Sequence, residues 1–213
     1  MISCVVSAYN EALTISKVIE TLLEVKSIDE IIVVDDGSTD NTKAKLETFG
    51  NKIIVCSHET NLGKGTAVVT GVLASSGDTI MMCDADLTNL AVDHIDNLIK
   101  TFINGSYGLV LAARENNVGI GYIAGKLTGE RIFKKKVIMP YLQLIKDSDM
   151  GVELIINFAH REKSVKTIIS KNIGHLQKQH KLNIFGLIIE FSQEMFQLFK
   201  TYLYLHFYLP KTS

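Results

Sequence analysis

The chain has 213 residues, 46% of them hydrophobic, with 22 lysines and arginines against 23 aspartates and glutamates and a formal net charge of -1. This length suits one domain, or a domain with an appendage, and it can bury a real core. So even a charge balance excludes a global basic field, and no nucleic-acid partner is expected.

The chain starts on a strand-like Ile2-Ser3-Cys4-Val5-Val6-Ser7-Ala8 with no basic leader or cleavage site, so no secretory signal and a cytoplasmic location are expected. Cys4, Cys56 and Cys83 each lie in an apolar stretch without zinc spacing and read as buried thiols in a reducing compartment. Strands are predicted at 2–8, 30–35, 52–56, 78–83 and 108–113. Between the first two, Ile15, Val18, Ile19, Leu22 and Leu23 recur at helical spacing, and further helices fit 41–48, 63–75 and 91–104. This alternation predicts an α/β fold with a mostly parallel sheet flanked by helices.

From 114 to about 130 the pattern weakens through Glu115-Asn116-Asn117-Val118-Gly119-Ile120-Gly121, which reads as a mobile loop. A helix is expected at 150–163 and a strand at 165–171. The segment 184–209 repeats Ile184, Ile188, Phe191, Met195, Leu198, Tyr202, Leu205 and Leu209 at helical steps, broken by Glu190, Glu194 and Lys200. Those charges argue against a membrane span. An amphipathic helix lying on its own domain, on a second copy in a homodimer, or on a membrane surface as a peripheral contact is expected instead, the last putting the chain at the inner face of the membrane.

Two acidic clusters end apolar runs: Ile31-Ile32-Val33-Val34-Asp35-Asp36-Gly37-Ser38 and Ile80-Met81-Met82-Cys83-Asp84-Ala85-Asp86. Carboxylates at such strand ends lie on the rim of a parallel sheet, where open α/β folds bind ligands. Asp84 and Asp86, one residue apart, can turn toward one hard cation shared with phosphate oxygens, although a solvated turn also fits Asp-x-Asp alone. In Asp35 to Asp40, Gly37 permits a tight turn and Asp40 can cap the next helix, which frees an aspartate to accept hydrogen bonds from a base or ribose. Asn61-Leu62-Gly63-Lys64-Gly65-Thr66 fails as a Walker loop, because Gly65 follows Lys64, and as a dinucleotide fingerprint, because Val68 replaces the third glycine. Lys64 can still face a phosphate near a helix start.

Together Val5-Val6-Ser7-Ala8-Tyr9-Asn10-Glu11, Val34 to Asp40, Asn61 to Gly65 and Asp84-Ala85-Asp86-Leu87 resemble, in the expected order, the family 2 glycosyltransferases of the GT-A fold. The resemblance implies a nucleotide-sugar donor, UDP- or GDP-linked, with base and ribose against Ala8, Tyr9, Glu11 and Asp36. It implies Mg2+ or Mn2+ bridging the diphosphate to Asp86, Asp84 on the sugar or ribose side, and Lys64 and Arg114 as further donor contacts. Leu127-Thr128-Gly129-Glu130-Arg131, Met150-Gly151-Val152-Glu153-Leu154 and Asn172-Ile173-Gly174-His175 are similar to segments of glucosyl-3-phosphoglycerate synthases and of short bacterial polyprenyl-phosphate sugar synthase relatives.

That similarity implies an acceptor near Gly129, Glu130 and Arg131, an acid near the reacting sugar, and His175 completing the metal shell. Glu153 is that acid, with Asp149 its competitor and Asp84 a third candidate for a catalytic role; His180 is a weaker substitute for His175. Leu176 stands where a basic residue is expected, and Asp149-Met150 where an aromatic or glycine is, so the acceptor is left open as a lipid phosphate or a small phosphorylated molecule.

The domain reading is a glycosyltransferase domain at 1–183, with a nucleotide half at about 1–113 and an acceptor half at about 114–183, followed by an amphipathic C-terminal helix at 184–213. Two rivals remain: a haloacid-dehalogenase-like phosphatase with Asp84 as nucleophile and Asp86 as acid or base, and a degenerate domain that only binds nucleotide or a partner.

Overall fold

The computed structural model describes residues 1–115, 128–148, 151–175 and 199–205. The elements up to the second acidic cluster are β1 (Ile2–Ala8), α1 (Ile15–Glu24), β2 (Glu30–Asp35), α2 (Thr42–Glu47), β3 (Ile54–Ser57), α3 (Lys64–Ala74) and β4 (Thr79–Asp84). Then come β5 (Leu87–Thr88), α4 (Val92–Asn104), β6 (Leu109–Arg114), β7 (Arg131–Lys134), α5 (Lys135–Ile138), α6 (Leu142–Lys146), α7 (Val152–Ala159), β8 (Val165–Ser170) and β9 (Gly174–His175). Seven strands form one sheet in the order β3-β2-β1-β4-β7-β6-β8. β7 is antiparallel to β4 and β6, and the other pairs are parallel. The expected α/β fold, a mostly parallel sheet flanked by helices, is the one observed.

The inner strands β1, β2, β4 and β6 form because their apolar runs are buried on both faces, as a parallel sheet requires, while the edge strands β3 and β8 are largely exposed. Cys4, Val6, Ile31, Val33, Met81 and Cys83 pack on one face against α1 and α4. Val5, Ile80, Met82, Leu109 and Leu111 pack on the other against α3 and the helices after β7. Tertiary burial, rather than local preference, holds α1. Its N-cap Thr14 makes no side-chain cap bond. Ile15, Val18, Ile19 and Leu22 are fully buried, and each contributes roughly 1.5–3 kcal/mol by leaving water.

β3 begins at Ile54 rather than 52 because Gly50–Lys52 form a 3-10 turn. The helix expected at 150–163 spans Val152–Ala159, and residues 149–150 lie outside the described ones. β7 and the short helices α5 and α6 are absent from the sequence reading. β7 has only Ile132 and Phe133 as apolar residues between Arg131 and three lysines, which is too short for a period to show. Its partners define it: Ile132 aligns with Met81 and Val110, and Phe133 with Ile80 and Leu109. Ile132 enters one core and Phe133 the other.

Of the segment 184–209, residues 199–205 are described, and they are helical. Leu205 joins the core beside α7, while Phe199, Tyr202 and Tyr204 are exposed. No helix among the described residues is long and apolar enough to cross a membrane. Of the loop expected from 114 to about 130, residues 116–127 lie outside the described residues, as do Asp149 and His180.

Candidate functional site

Parallel pairing brings the two acidic clusters to one rim. Ala8 at the end of β1 aligns with Asp35 of β2, and Ser7 with Asp84 of β4. Above these strand ends lies a cleft of about 660 Å³. Ala8, Tyr9 and Glu11 line it from the β1 end, Asp36 from the β2 end, and Asn61 to Lys64 from the start of α3. Asp84, Ala85 and Asp86 line it from the β4 end, and His175 from β9.

The loop after β1 is stitched to the loop after β2. Asn10 accepts the Thr39 N–H on Oδ1 at 2.8 Å and donates its own N–H to Ser38 Oγ at 2.9 Å. Asp40, expected to cap, accepts the N–H of Thr42, the first residue of α2, at 2.9 Å, and the Ala12 N–H at 3.2 Å. Gly37 has φ +71 and lies so close to the Thr60–Asn61 backbone that a Cβ would overlap it, so only glycine fits. Asp36 is buried, and its carboxylate accepts the N–H groups of Leu62 at 3.0 Å and Gly63 at 2.9 Å and contacts His58 Nδ1 at 2.6 Å.

At the other end of the cleft, the short antiparallel pair β5–β9 aligns Leu87 with His175. It brings His175 Nδ1 within 3.4 Å of Asp86 Oδ2. Neighbouring donors on one octahedral ion at about 2.1 Å are about 3 Å apart, so these two atoms fit one Mg2+ or Mn2+. Among the described residues no group of three or more His, Cys, Asp or Glu side chains could hold a metal. Among the described residues Asp86 and His175 could supply two donors to such an ion, and Mg2+ characteristically takes phosphate oxygens and water at its other positions.

Between the two ends lies a dense set of charges. Lys64 Nζ is 3.2 Å from Asp84 Oδ1 and 2.7 Å from Glu153 Oε1, so it joins α3 to α7. Burial would lower the Lys64 pKa, but the Asp84 and Glu153 carboxylates raise it well above its usual value. Arg114, almost fully buried at the end of β6, is 3.7 Å from Asp84 and 3.5 Å from Glu130. For Asp84, burial raises the pKa, but Lys64, Arg114 and Arg131 outweigh it and hold the carboxyl below its ordinary range. Glu130 goes the other way: burial and then the Asp84 charge push it up, while Arg114 and a 2.7 Å hydrogen bond from Thr128 oppose them.

Arg131 is fully buried. It donates to the Glu153 carbonyl at 3.2 Å, to Asn157 Oδ1 at 3.3 Å and to the Thr128 carbonyl. Gly129 lies directly against Asp84, where a Cβ would overlap the carboxyl group.

The family model for glycosyl transferase family 2 matches residues 3–169, which takes in all of these elements except β9, the first residue of β1 and the last of β8. The chain belongs to glycosyl transferase family 2.

An undecaprenyl-phosphate 4-deoxy-4-formamido-L-arabinose transferase of Proteus mirabilis (strain HI4320) is 32% identical over 206 residues, covering 84% of this chain and 61% of that protein. A glucosyl-3-phosphoglycerate synthase of Mycobacterium tuberculosis is 37% identical over 97 residues, 41% of this chain and 29% of that protein. The chain therefore spans less than two thirds of each of these curated relatives. The crystal structure of glucosyl-3-phosphoglycerate synthase from Mycobacterium tuberculosis with Mn2+, UDP and glucosyl-3-phosphoglycerate superposes with a TM-score of 0.78 at 21% identity, over 99% of this chain and 81% of that one. This likeness is one of fold, and the fold is GT-A.

Within this family 2 chain, the motif residues divide into two groups. Ala8, Tyr9, Glu11, Asp36, Lys64, Asp84, Asp86 and His175 share the cleft. Arg114, Glu130 and Arg131 are instead buried behind Asp84, and Glu153 meets the cleft through its ion pair with Lys64. The resemblance implies an acceptor near Gly129, Glu130 and Arg131, and β7, inserted between β4 and β6, carries Arg131 into the interior.

Sequence reasoning misses His58 and Thr70 altogether. His58 follows β3, 22 residues from Asp36, and no spacing marks it. The phosphatase alternative is set aside by the family. Its nucleophile motif belongs on a first strand, whereas Asp84 ends β4 and is held between Lys64 and Arg114.

Proposed function

We propose that the chain transfers a sugar from a UDP-linked donor to a phosphate-bearing acceptor, with Mg2+ or Mn2+ as cofactor. The observation that carries this reading is the approach of Asp86 Oδ2 and His175 Nδ1 to 3.4 Å at the rim of the cleft that also holds Asp36 and Lys64. The relatives support it by their named reactions, one on undecaprenyl phosphate and the other yielding glucosyl-3-phosphoglycerate.

In this reading Ala8, Tyr9, Glu11 and Asp36 hold the base and ribose, and Asp86 with His175 holds the divalent ion. Bound there, the ion would neutralise charge on the departing diphosphate. Asp84 orients the donor sugar, with Arg114 fixing its carboxylate from behind. Lys64 sets a positive charge between donor and acceptor sides. Glu153 is the acid of the acceptor side, and Asp149 competes for that role. Gly129 edges the acceptor region, where Glu130 and Arg131 act through the wall rather than by touching the acceptor.

Calorimetric titration of UDP with and without Mn2+ tests the site. Binding should require Mn2+ and weaken at least about tenfold in Asp86→Ala. Equal binding with and without the metal would sink the metal-diphosphate reading, and tighter binding of GDP would correct the base. Turnover of UDP-sugars with lipid phosphates and with phosphoglycerate then separates an enzyme from a nucleotide binder.

The acceptor we favour is lipid-linked, with residues 184–209 resting on the cytoplasmic face of a membrane and homodimerisation through that segment the competing reading. Phe199 and Tyr202 are exposed on one side of the described helical turn, as an interfacial helix would need. Serine at both positions should cut recovery with anionic liposomes in a flotation assay several-fold. Unchanged recovery would count against the membrane contact.

A further inference from the structure

Asp36 is held from three sides. Leu62 N–H and His58 Nδ1 reach Oδ1 at 3.0 and 2.6 Å, and Gly63 N–H reaches Oδ2 at 2.9 Å. An ionised carboxylate only accepts, and it has about four lone-pair sites. Three of these are engaged by the described residues, so one site on Oδ2 is left for a ligand in the cleft that Asp36 lines.

His58 makes the less ordinary contact of the three. Its second ring nitrogen, Nε2, lies 2.9 Å from the Thr70 hydroxyl on α3, and its backbone N–H is fixed to the Asp35 carbonyl at 2.9 Å. With Asp36 accepting at Nδ1, that nitrogen carries the proton, and in the neutral ring Nε2 accepts from Thr70. A histidine that merely filled space would not engage both nitrogens. This ring spans from the end of β2 to the helix whose first residue, Lys64, pairs with Asp84 and Glu153.

We infer that His58 is a positioning residue for the nucleoside end of the cleft: it fixes the plane of the Asp36 carboxylate, on which the Asn61–Gly63 wall hangs. The inference rests on the reading above that base and ribose lie against Asp36. Asp36 alone could rotate about its side-chain torsions and still satisfy one of the two loop amides. Held by His58, it satisfies both and presents the remaining Oδ2 site in one direction.

Three variants of the full chain test this. The Asn amide nitrogen falls near the place of Nδ1 and keeps the donor to Asp36, whereas the Gln amide nitrogen falls near Nε2 and keeps only the Thr70 side. In the presence of Mn2+, the Kd for UDP should rise about tenfold in His58→Ala and His58→Gln and stay within about threefold in His58→Asn. In turnover the same order should appear in KM more than in kcat. Hydrogen exchange at the Leu62 and Gly63 amides should speed up in the Ala and Gln variants and not in Asn.

UDP binding unchanged in all three variants, or Asn and Gln variants that behave alike in both measurements, overturns the inference. Should His58→Ala fail to fold, the Asn–Gln contrast decides. A wild-type chain that does not bind UDP overturns the proposed function instead, and amide exchange at Leu62 and Gly63 then decides the positioning role by itself.

Discussion

An Arg131→Met chain should be about 3–5 kcal/mol less stable to urea unfolding than the wild type, the loss expected when one member of a buried ion cluster is removed. Methionine keeps most of the unbranched stem, so the change isolates the guanidinium. That group is fully buried at the first residue of β7 and donates to the Glu153 and Thr128 carbonyls and to Asn157. Without it three acceptors each lose one donor, and the set of Lys64, Arg114 and Arg131 facing Asp84, Glu130 and Glu153 is left with one carboxylate in excess.

The loss should also depend on pH, with a definite sign. Burial, then Asp84, already raises the Glu130 pKa in the fold, and removing a nearby cation raises it further. A carboxyl whose folded pKa is raised contributes stability that is complete below its unfolded value, about 4.3, and is lost as pH rises through the folded value. The deficit of Arg131→Met should therefore be larger at pH 8 than at pH 5. In the wild type Asp84 works in the opposite sense: its lowered pKa gives stability above about 4 that is lost as pH falls through the folded value. A deficit below about 1 kcal/mol at both pH values would show that Arg131 is not needed to balance the cluster.

Burial that repeats along the chain is legible in the sequence, and burial that depends on a distant partner is not. β1, β2, β4 and β6 carry runs long enough to announce themselves, and α1 shows its core face at helical spacing. β7 offers two apolar residues and becomes a strand only because Met81 and Val110 flank Ile132 from both sides.

The same division holds in the candidate site. Asp36, Asp84 and Asp86 stand at the ends of legible strands, so their arrival on one rim follows from parallel pairing. His175 reaches Asp86 through a two-residue ladder too short to leave a period. His58 belongs to the site only through a hydrogen bond across 22 residues. A local motif also leaves depth unread: the resemblance implies an acceptor near Glu130 and Arg131, and both are buried, the first beside Arg114 and the second donating to the Glu153 carbonyl.

Replacing Lys64 by methionine should lower kcat/KM for donor turnover about 10²- to 10³-fold, the range seen when one preorganised electrostatic contact is lost from an active site. Its ammonium is the described group that touches both the floor carboxylate Asp84 and the α7 acid Glu153, at 3.2 and 2.7 Å. Those two carboxylates outweigh the effect of burial and keep it charged at any working pH. In the proposed transfer the charge would therefore be in place before a donor arrives and would need no reorganisation as negative charge builds on a leaving diphosphate.

Arg114 would still hold Asp84 in the variant, at 3.7 Å, so the fold should survive with most of its stability. The Asp84 carboxyl, freed of its strongest opposing charge, should rise in pKa, and the acid limb of the pH–rate profile should move to higher pH. Lys64→Arg should rescue little, since a planar fork does not replace a compact ammonium between two carboxylates on different elements. The split between constants decides the role. A fall in kcat together with kcat/KM places the Lys64 charge in the transition state, whereas a rise in KM with kcat unchanged would reduce it to an equal grip on donor and transition state.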